Sequence, residues 1–192
     1  MSNRYEVLGT RWLENEMEYT GVQLRGHFVR EMGGIATDGV VAFAGMCRVS
    51  TSELVDLEDA EEGSVIRAEK MLHFIGEHFD CPLREANFRL RLFTSIMMEI
   101  LREGGVVPGL ARSGDDLYVG DRKMSVGVAT MTPVSAVFHF GVNIDPAGAP
   151  VPAAGLNEFD IDPESIASKV LQWYRLECEA IEIAVRKVRG RL

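Results

Sequence analysis

The segment Gly114-Asp115-Asp116-Leu117-Tyr118-Val119-Gly120-Asp121-Arg122-Lys123 tells most about the fold of this chain. Its pattern predicts a short strand, a tight turn at Gly120-Asp121 and a second strand that begins with a lysine. Asp116 and Lys123 are then expected at opposite ends of one small hairpin. A lysine in the first residues of a core strand is costly to bury unless an anion meets it. Lys123 is therefore the leading candidate for a functional residue, with a lysine that extends from a strand edge into solvent as the alternative.

The residues on either side of the hairpin indicate further strands. Downstream, a return strand is predicted over 124–131 and another over 134–144. Upstream, the apolar run 39–45 is typical of a buried strand, and we expect it to continue after a kink at Gly45.

Two stretches have no clear periodicity. The apolar residues of 64–79 fit a helix face, and they fit equally well a strand in which Gly76 forms a bulge. The stretch Asp145–Pro152 holds three of the seven prolines and is predicted to be a loop.

Three helices are predicted from apolar residues at helical spacing. The first covers 22–32 and is ended by Gly33-Gly34, and the second covers 84–103 and is ended by Gly104-Gly105. The third begins at Asp162-Pro163-Glu164-Ser165, which combines an acidic N-cap with a proline in the first turn. Its apolar stripe, expected to pack on the body of the domain, is Ile166, Val170, Trp173, Leu176, Ile181 and Val185. This order of helices and strands favours an α+β fold with a mixed or antiparallel sheet.

Length and composition are those of one globular domain over residues 1–192. The formal net charge of −9 argues against a nucleic-acid partner, and the basic residues of 186–191 are better explained as charges that stabilise a helix end. No apolar run is long enough to span a bilayer and no leader opens the chain, so we expect a cytoplasmic protein without a membrane partner. The three cysteines include no CxxC pair, which argues against a disulfide framework and a zinc ribbon.

The hairpin resembles a motif of the biotin and lipoate protein ligase superfamily, whose core is shared with class II aminoacyl-tRNA synthetases. Those enzymes carry the pattern NDxYxxxRK, which residues 115–123 match at the aspartate, the tyrosine and the arginine-lysine pair. They also carry GxGxNx, of which Gly141 and Asn143 remain, while His139 replaces the first glycine. Within the superfamily, the chain is similar over nearly its whole length to a largely archaeal family known only as domain of unknown function number three hundred and sixty-six. That similarity is carried by residues 23–25, 55–59, 71–77 and 122–143.

The resemblance implies a mixed, mostly antiparallel sheet flanked by helices, and it implies roles for individual residues. Lys123 matches the lysine that binds the carboxylate and then the acyl phosphate, and Asp116 is expected near the acyl or acceptor end. Gly141 and Asn143 are expected to line the floor. By the same resemblance, the ligand is a small carboxylic acid or a nucleotide, ATP and Mg²⁺ are the cofactors to consider, and the chain forms a homodimer.

One feature of these ligases is missing. They cradle phosphate and acyl groups with an arginine- and glycine-rich segment whose bare backbone approaches the ligand. In this chain the corresponding place is held by the acidic residues of 55–63 and by 71–79. Two functions therefore stay open: a protein that binds and activates or transfers an acid, and a catalytically silent binding or assembly protein on the same fold.

Further candidates lie outside the motif. Gln23 and Arg25, on the first predicted helix, are candidates for ligand binding, with a surface salt bridge as the alternative for Arg25. The carboxylates of Asp56, Glu58 and Asp59 are candidates for binding Mg²⁺, with a solvated acidic loop as the alternative.

A metal site around His73 is the last possibility. His73 and Glu77 share one face whether their segment is a helix or a strand, but His78 does not lie on that face. Two ligands do not make a zinc site. His73 is therefore kept only as a candidate ligand-binding residue.

Overall fold

The computed structural model describes residues 7–103 and 106–190. In chain order, the elements are β1 (Gly9–Trp12), α1 (Phe28–Gly33), β2 (Gly39–Val49), α2 (Leu57–Glu61), β3 (Ile66–His78), α3 (Leu83–Arg102), β4 (Leu110–Ser113), β5 (Asp116–Val119), β6 (Arg122–Lys123), β7 (Ser125–Met131), β8 (Ala136–Asp145) and α4 (Pro163–Arg186). The described residues also contain 3₁₀ turns at Thr51–Glu53 and Leu156–Phe159.

The strands form two sheets. The main sheet has the order β1-β2-β3-β8-β7, and the small sheet has the order β4-β5-β6. β1 runs parallel to β2, whereas the other pairings of the described strands are antiparallel. The expected α+β class with a mixed, mostly antiparallel sheet is thereby confirmed. The predicted hairpin is found as β5 and β6, with Tyr118 opposite Lys123.

Each face of the main sheet has its own apolar core. Helices α3 and α4 cover one face, where Phe93 packs against Phe74 and Phe138. The other face, beneath α1, is built around residues such as Phe43 and Ile75. The second half of β3 is buried on both faces, so its apolar residues do not alternate with polar ones. This explains why periodicity alone did not distinguish a strand from a helix over 64–79.

Gly76 does not form the bulge that was considered for a strand at this place. It pairs regularly with Val40 and Phe138, and the irregularity in the β3–β8 pairing lies between Lys70 and Met71. A Cβ at Gly76 would lie 2.2 Å from the ring of Phe138. The glycine therefore makes room for an aromatic ring instead of interrupting the pairing.

β2 is irregular at Gly45, as expected. Its pairing with β3 shifts register between Gly45 and Cys47. Here the segment 13–19 runs beside β2, and the N–H groups of Met17 and Tyr19 donate to β2 carbonyls at 3.0 and 2.8 Å. A Cβ on Gly45 would lie 1.9 Å from the carbonyl oxygen of Met17, so this close approach requires glycine. The approach places Tyr19 over the second face of the main sheet.

α1 is shorter than the helix predicted over 22–32, because it begins only at Phe28. His27 has a φ of 66°, a left-handed conformation that ends a right-handed helix. Gln23, five residues before Phe28, lies in a turn. The predicted end is confirmed: Gly34 is left-handed and closes the last turn.

α3 starts and ends within one residue of the helix predicted over 84–103. Its buried face includes Leu90, Phe93 and Met97. The predicted cap at Gly104-Gly105 lies outside the described residues. In the described part of the chain, no helix combines the length and the apolar character needed to cross a bilayer.

α4 begins as predicted, with the Asp162 carboxylate accepting from Ser165 N–H at 2.8 Å. The predicted stripe along it is only partly right. The core-facing residues follow a spacing of four, namely Ile166, Val170, Tyr174 and Cys178. The remaining predicted members, Trp173, Leu176, Ile181 and Val185, are 42–68% exposed. On a helix, a side chain three residues further on points about 60° to one side, and a side chain four residues further on points about 40° to the other side. The predicted stripe takes two steps of three after Val170, so Trp173 and Leu176 point away from the core.

Candidate functional site

The second face of the main sheet borders a cavity of about 450 Å³. Its walls come from β3, β7 and β8, the acidic region around α2, the end of β6 and the loop after β8. This volume is in the range of sites that hold small organic ligands. Of the residues to which the ligase motifs gave a role, Asp116, Lys123 and Asn143 line it and Gly141 does not. Tyr19 and His139 line it as well, although neither was predicted to be a site residue.

Lys123 and Asp116 form an ion pair at the wall of the cavity, with Nζ and Oδ2 2.7 Å apart. Their side chains are 32% and 22% exposed, so both are largely withdrawn from water. Burial by itself lowers the pKa of Lys123, but the hydrogen bond and negative charge of Asp116 outweigh it, and the net pKa is raised. For Asp116, burial has the larger effect and raises the pKa despite the neighbouring lysine. Lys123 is therefore a positioned ammonium at neutral pH.

The backbone of Lys123 is held from two sides. Its N–H donates to Pro152 O at 2.9 Å, and its carbonyl accepts from the N–H of Ala154 at 3.0 Å. Nδ2 of Asn143 donates to the carbonyls of Lys123 and Ala154 at 3.2 and 3.1 Å. Because both partners are acceptors, the amide must turn its NH₂ group toward them. Oδ1 of Asn143 then remains as an acceptor for the cavity that this residue lines.

Two buried histidines lie at the inner end of the cavity. Nδ1 of His73 is 3.0 Å from Nε2 of His139, and Nε2 of His73 is 3.3 Å from Gly45 O. Burial lowers the pKa of His73 to about 3 and the pKa of His139 well below its usual value, so both rings are neutral. A carbonyl only accepts, so His73 donates from Nε2 to Gly45 and accepts at Nδ1 from His139. His139 is thus protonated on Nε2, and its Nδ1 carries a lone pair.

Tyr19 covers the ring of His139. The two rings are stacked, with centroids 3.8 Å apart and an angle of 13° between their planes, and Tyr19 is 3% exposed. The hydroxyl of Tyr19 and Nδ1 of His139 have no hydrogen-bond partner among the described residues. Every fully buried side-chain nitrogen or oxygen in the described part of the chain does have a partner, so these two atoms are not fully buried. Both atoms therefore reach open space, and the cavity is the space that both residues line.

The two unpredicted residues differ in the signal they offered. His139 stands where the ligase motif has its first glycine, so the departure from GxGxNx marked the position. Tyr19 lies in a segment without periodicity or motif, and only the packing of that segment on β2 brings it to the site. Gly141 provides room there: a Cβ on it would lie 3.0 Å from Cε1 of His139.

The lining of the cavity is strongly acidic. It contains six carboxylates and two basic side chains, namely Glu53, Asp56, Glu58, Asp59, Asp115 and Asp116 against Arg67 and Lys123. This set does not fit ATP as the ligases are expected to hold it, because a polyphosphate in this lining would meet more negative than positive charge.

Asp56, Glu58 and Asp59, the predicted ligands of Mg²⁺, are not brought together as a group of metal ligands in the structure. Oδ1 of Asp56 caps α2, accepting from the N–H groups of Glu58 and Asp59 at 2.9 and 3.2 Å. Among the described residues, no three His, Cys, Asp or Glu side chains are grouped closely enough to hold a metal ion. The three carboxylates line the cavity individually and add to its negative charge.

Gln23 and Arg25 are not among the residues that line the cavity. Gln23 is buried, accepts from Thr20 N–H at 3.1 Å and donates to a main-chain carbonyl at 2.8 Å, so it stabilises a turn. Arg25 is exposed, pairs with Glu31 and lies over the ring of Phe28. Arg25 therefore forms a surface salt bridge, which was the alternative to a role in ligand binding.

The neighbours of His73 on β3 have structural partners. Glu77 accepts from the N–H of His27 at 2.6 Å and from the hydroxyl of Ser135 at 2.7 Å. His78 lies 2.9 Å from the carboxylate of Asp38 and 3.0 Å from the hydroxyl of Tyr174. His73 does not line the cavity, but it accepts a hydrogen bond from His139, which does.

Comparison with known proteins gives a family without an assigned function. A family model described as Domain of unknown function (DUF366) matches residues 8–189. The chain is 31% identical over 189 residues to the uncharacterized protein MJ0805 of Methanocaldococcus jannaschii, covering 95% of this chain and 85% of that protein. A solved protein of unknown function from Pyrococcus horikoshi is 32% identical, with a TM-score of 0.90 over 96% of this chain and 100% of its own.

More distant matches concern the fold alone. The biotin protein ligase of Aquifex aeolicus, solved in complex with biotin and ATP, is 16% identical. Its TM-score is 0.56, over 89% of this chain and 70% of the ligase. The predicted likeness to the fold of biotin and lipoate protein ligases is thereby confirmed.

Proposed function

Since this chain belongs to the family described as Domain of unknown function (DUF366), we propose a function from its own site. The protein binds a small carboxylic acid, or the acyl part of an acyl nucleotide, in the cavity beside β8. Lys123 holds the carboxylate, and Asp116 holds the ammonium in place until the ligand arrives. The observation that carries this proposal is the half-buried ion pair of Lys123 with Asp116 on the wall of a ligand-sized cavity.

The surroundings of Lys123 support an anion-binding role. A charge-assisted hydrogen bond from an ammonium to a carboxylate contributes about 1.5–3 kcal/mol, provided the donor does not have to be ordered on binding. The backbone contacts to Pro152, Ala154 and Asn143 order this lysine in advance. A single carboxylate also matches a single ammonium, whereas a polyphosphate does not.

The acidic lining favours binding over ATP-dependent activation. Two positive groups face six carboxylates in the cavity, so an incoming triphosphate would be repelled unless cations accompanied it. The second candidate function, a silent binding or assembly protein on a ligase fold, is supported by this charge balance. Activation or transfer of the acid keeps one argument in its favour, which is the presence of the matched lysine at the wall of the cavity.

Calorimetric titration of the whole chain with octanoate tests the binding proposal. We expect Lys123→Met to weaken octanoate binding by about tenfold to a hundredfold, the equivalent of the charge-assisted bond it loses. Arg122→Met is the matched control, because Arg122 is the adjacent base but pairs with Glu158 and does not line the cavity. Equal affinity of the wild type and the Lys123 variant would refute the proposal.

Exchange of pyrophosphate with ATP separates the two candidates. If the wild type catalyses acid-dependent exchange and Lys123→Met does not, the protein activates the acid. If octanoate binds through Lys123 and a panel of short and medium-chain acids supports no exchange, the protein is a binding module.

A further inference from the structure

We infer that the inner end of the cavity recognises an uncharged hydrogen-bond donor on the ligand. The acid is therefore one whose far end carries a hydroxyl or an amide N–H, and neither a bare methyl group nor a second carboxylate. This inference rests on the proposed function, because Lys123 must hold the carboxylate for the far end to reach Tyr19 and His139.

The first argument is the direction of the hydrogen bonds in the histidine pair. Gly45 O can only accept, so the chain of donors runs from His139 to His73 and on to Gly45. His139 uses its one proton in that chain. The nitrogen that remains open to the cavity is Nδ1, and in a neutral ring it can only accept. A ligand group facing it must bring the hydrogen atom.

The second argument is the hydroxyl of Tyr19. This side chain is 3% exposed, and its hydroxyl has no hydrogen-bond partner among the described residues. Burial raises the pKa of Tyr19, so the hydroxyl keeps its proton and can both donate and accept. The ring of His139 stacks against Tyr19. Together the two side chains offer the cavity one acceptor, Nδ1 of His139, and one hydroxyl that can donate or accept. A hydroxyl or an amide on the ligand satisfies both atoms.

The third argument is the apolar packing around Tyr19. Tyr19 belongs to the apolar core of the second sheet face, with Val49 and Met71, and Leu24 and Val126 pack against that core. All four apolar residues also line the cavity. A second carboxylate on the ligand would be buried next to the lone pair of His139. An ammonium would find no carboxylate among these residues to pair with. A methyl group would leave the Tyr19 hydroxyl and Nδ1 of His139 without hydrogen bonds.

The distance between the two ends sets the length of the ligand. Asn143, which holds Lys123, and His139 lie four residues apart on β8. Four residues of a strand span about 13 Å, which suits an extended acid with a chain of about eight carbons. The end at Lys123 is partly exposed and the end at His139 is buried, so the acid enters with its uncharged end first.

Three probes of similar length test the inference on the whole chain by calorimetry at neutral pH. They are 8-hydroxyoctanoate, nonanoate, which replaces the hydroxyl with a methyl group, and octanedioate, which ends in a second carboxylate. We expect the hydroxy acid to bind about tenfold tighter than nonanoate, and octanedioate to bind more weakly than the hydroxy acid. Nonanoate or octanedioate binding as tightly as the hydroxy acid would overturn the inference.

Tyr19→Phe removes only the hydroxyl and reduces the preference for 8-hydroxyoctanoate over nonanoate by about threefold or more if Tyr19 contacts the far end. Tyr118→Phe, on β5 and outside the lining, is the matched control. A preference that survives Tyr19→Phe in full would contradict the role of Tyr19. If the acids bind through Lys123 without any preference, only this inference fails. If no acid binds to the wild type, the proposed function fails with it.

Discussion

The side-chain amide of Asn143 donates to the main-chain carbonyl of Lys123 at 3.2 Å, across the gap between β8 and the end of β6. The same amide nitrogen reaches Ala154 O at 3.1 Å, so one side chain joins the residue with the ammonium to the loop after β8. Asn143 N–H also donates to Met124 O at 2.9 Å. The position of Lys123 over the cavity therefore depends on Asn143, which acts here as a positioning residue.

Replacing Asn143 is expected to affect both stability and binding. Asn143→Ala leaves the carbonyl of Ala154 without its side-chain donor and loosens Lys123, so we expect the free energy of unfolding to fall by about 2 kcal/mol. Asn143→Asp should cost more, because a carboxylate would face two carbonyls. Urea denaturation measures both, with the exposed Asn15→Ala as control. A loss in Asn143→Ala no larger than that of the control would contradict the clamp.

Removing the charge of Asp116 is expected to strengthen the binding of a carboxylic acid. Asp116 accepts from the ammonium at 2.7 Å, and a ligand carboxylate would come close to the same group. Two carboxylates at such short range repel each other, and we expect this repulsion to outweigh the benefit of Asp116 holding Lys123 in position. Asp116→Asn should therefore tighten octanoate binding by about tenfold. Asp121→Asn, in the exposed turn of the hairpin, is the control. Weaker binding by Asp116→Asn would show instead that this carboxylate orients the ligand.

The parts of the fold that were predictable from sequence are the local ones. The hairpin of β5 and β6 depends on a turn at Gly120, and the start of α4 depends on the cap at Asp162, so each signal lies within a few residues of its effect. The likeness of residues 115–123 to a ligase motif then marked Lys123 and Asp116 as site residues, but they were expected at opposite ends of the hairpin, whereas the structure pairs them at 2.7 Å. The extent of the buried stripe on α4 was missed because it depends on the neighbours of the helix.

The inner end of the site was not predictable for the same reason. Tyr19 and His139 are distant in the chain, and they stack only because a segment without periodicity runs beside the bulge at Gly45. The sequence left the role of Asp56 open, because the same carboxylate that suits a cation also suits the N-terminus of a short helix, which Asp56 caps. Sequence alone cannot choose between these two uses.

Gly45 is expected to tolerate no side chain. In Gly45→Ala the new Cβ would lie 1.9 Å from Met17 O, a backbone atom that cannot move without detaching the segment that carries Tyr19. We expect a loss of about 3 kcal/mol in the free energy of unfolding. Gly34→Ala is the control for backbone conformation alone, because Gly34 is left-handed with nothing within 4 Å of its Cβ position, and it should cost about 1 kcal/mol. Equal losses in the two variants would argue against the close approach.

The buried histidine pair should make the fold sensitive to mild acid. The pKa of His73 is about 3 in the folded protein, against about 6.5 in the unfolded chain. Above pH 6.5 the ring is neutral in both states, so its contribution to stability is fully present. As the pH falls from 6.5 toward 3, the unfolded chain takes up the proton and the folded protein does not. Stability is therefore lost by roughly 1.4 kcal/mol per pH unit for this ring.

His73→Gln tests this dependence, because glutamine can donate to Gly45 O and accept from His139 without titrating. Between about pH 6.5 and 4.5, we expect urea denaturation to show about 2 kcal/mol less acid loss in this variant than in the wild type. His27→Asn, which removes an exposed histidine at a left-handed position, measures what any histidine replacement contributes. Parallel stability curves for His73→Gln and the wild type would mean that the pair takes up a proton in the folded state, and the neutral tautomers on which the inner end of the site depends would then be wrong.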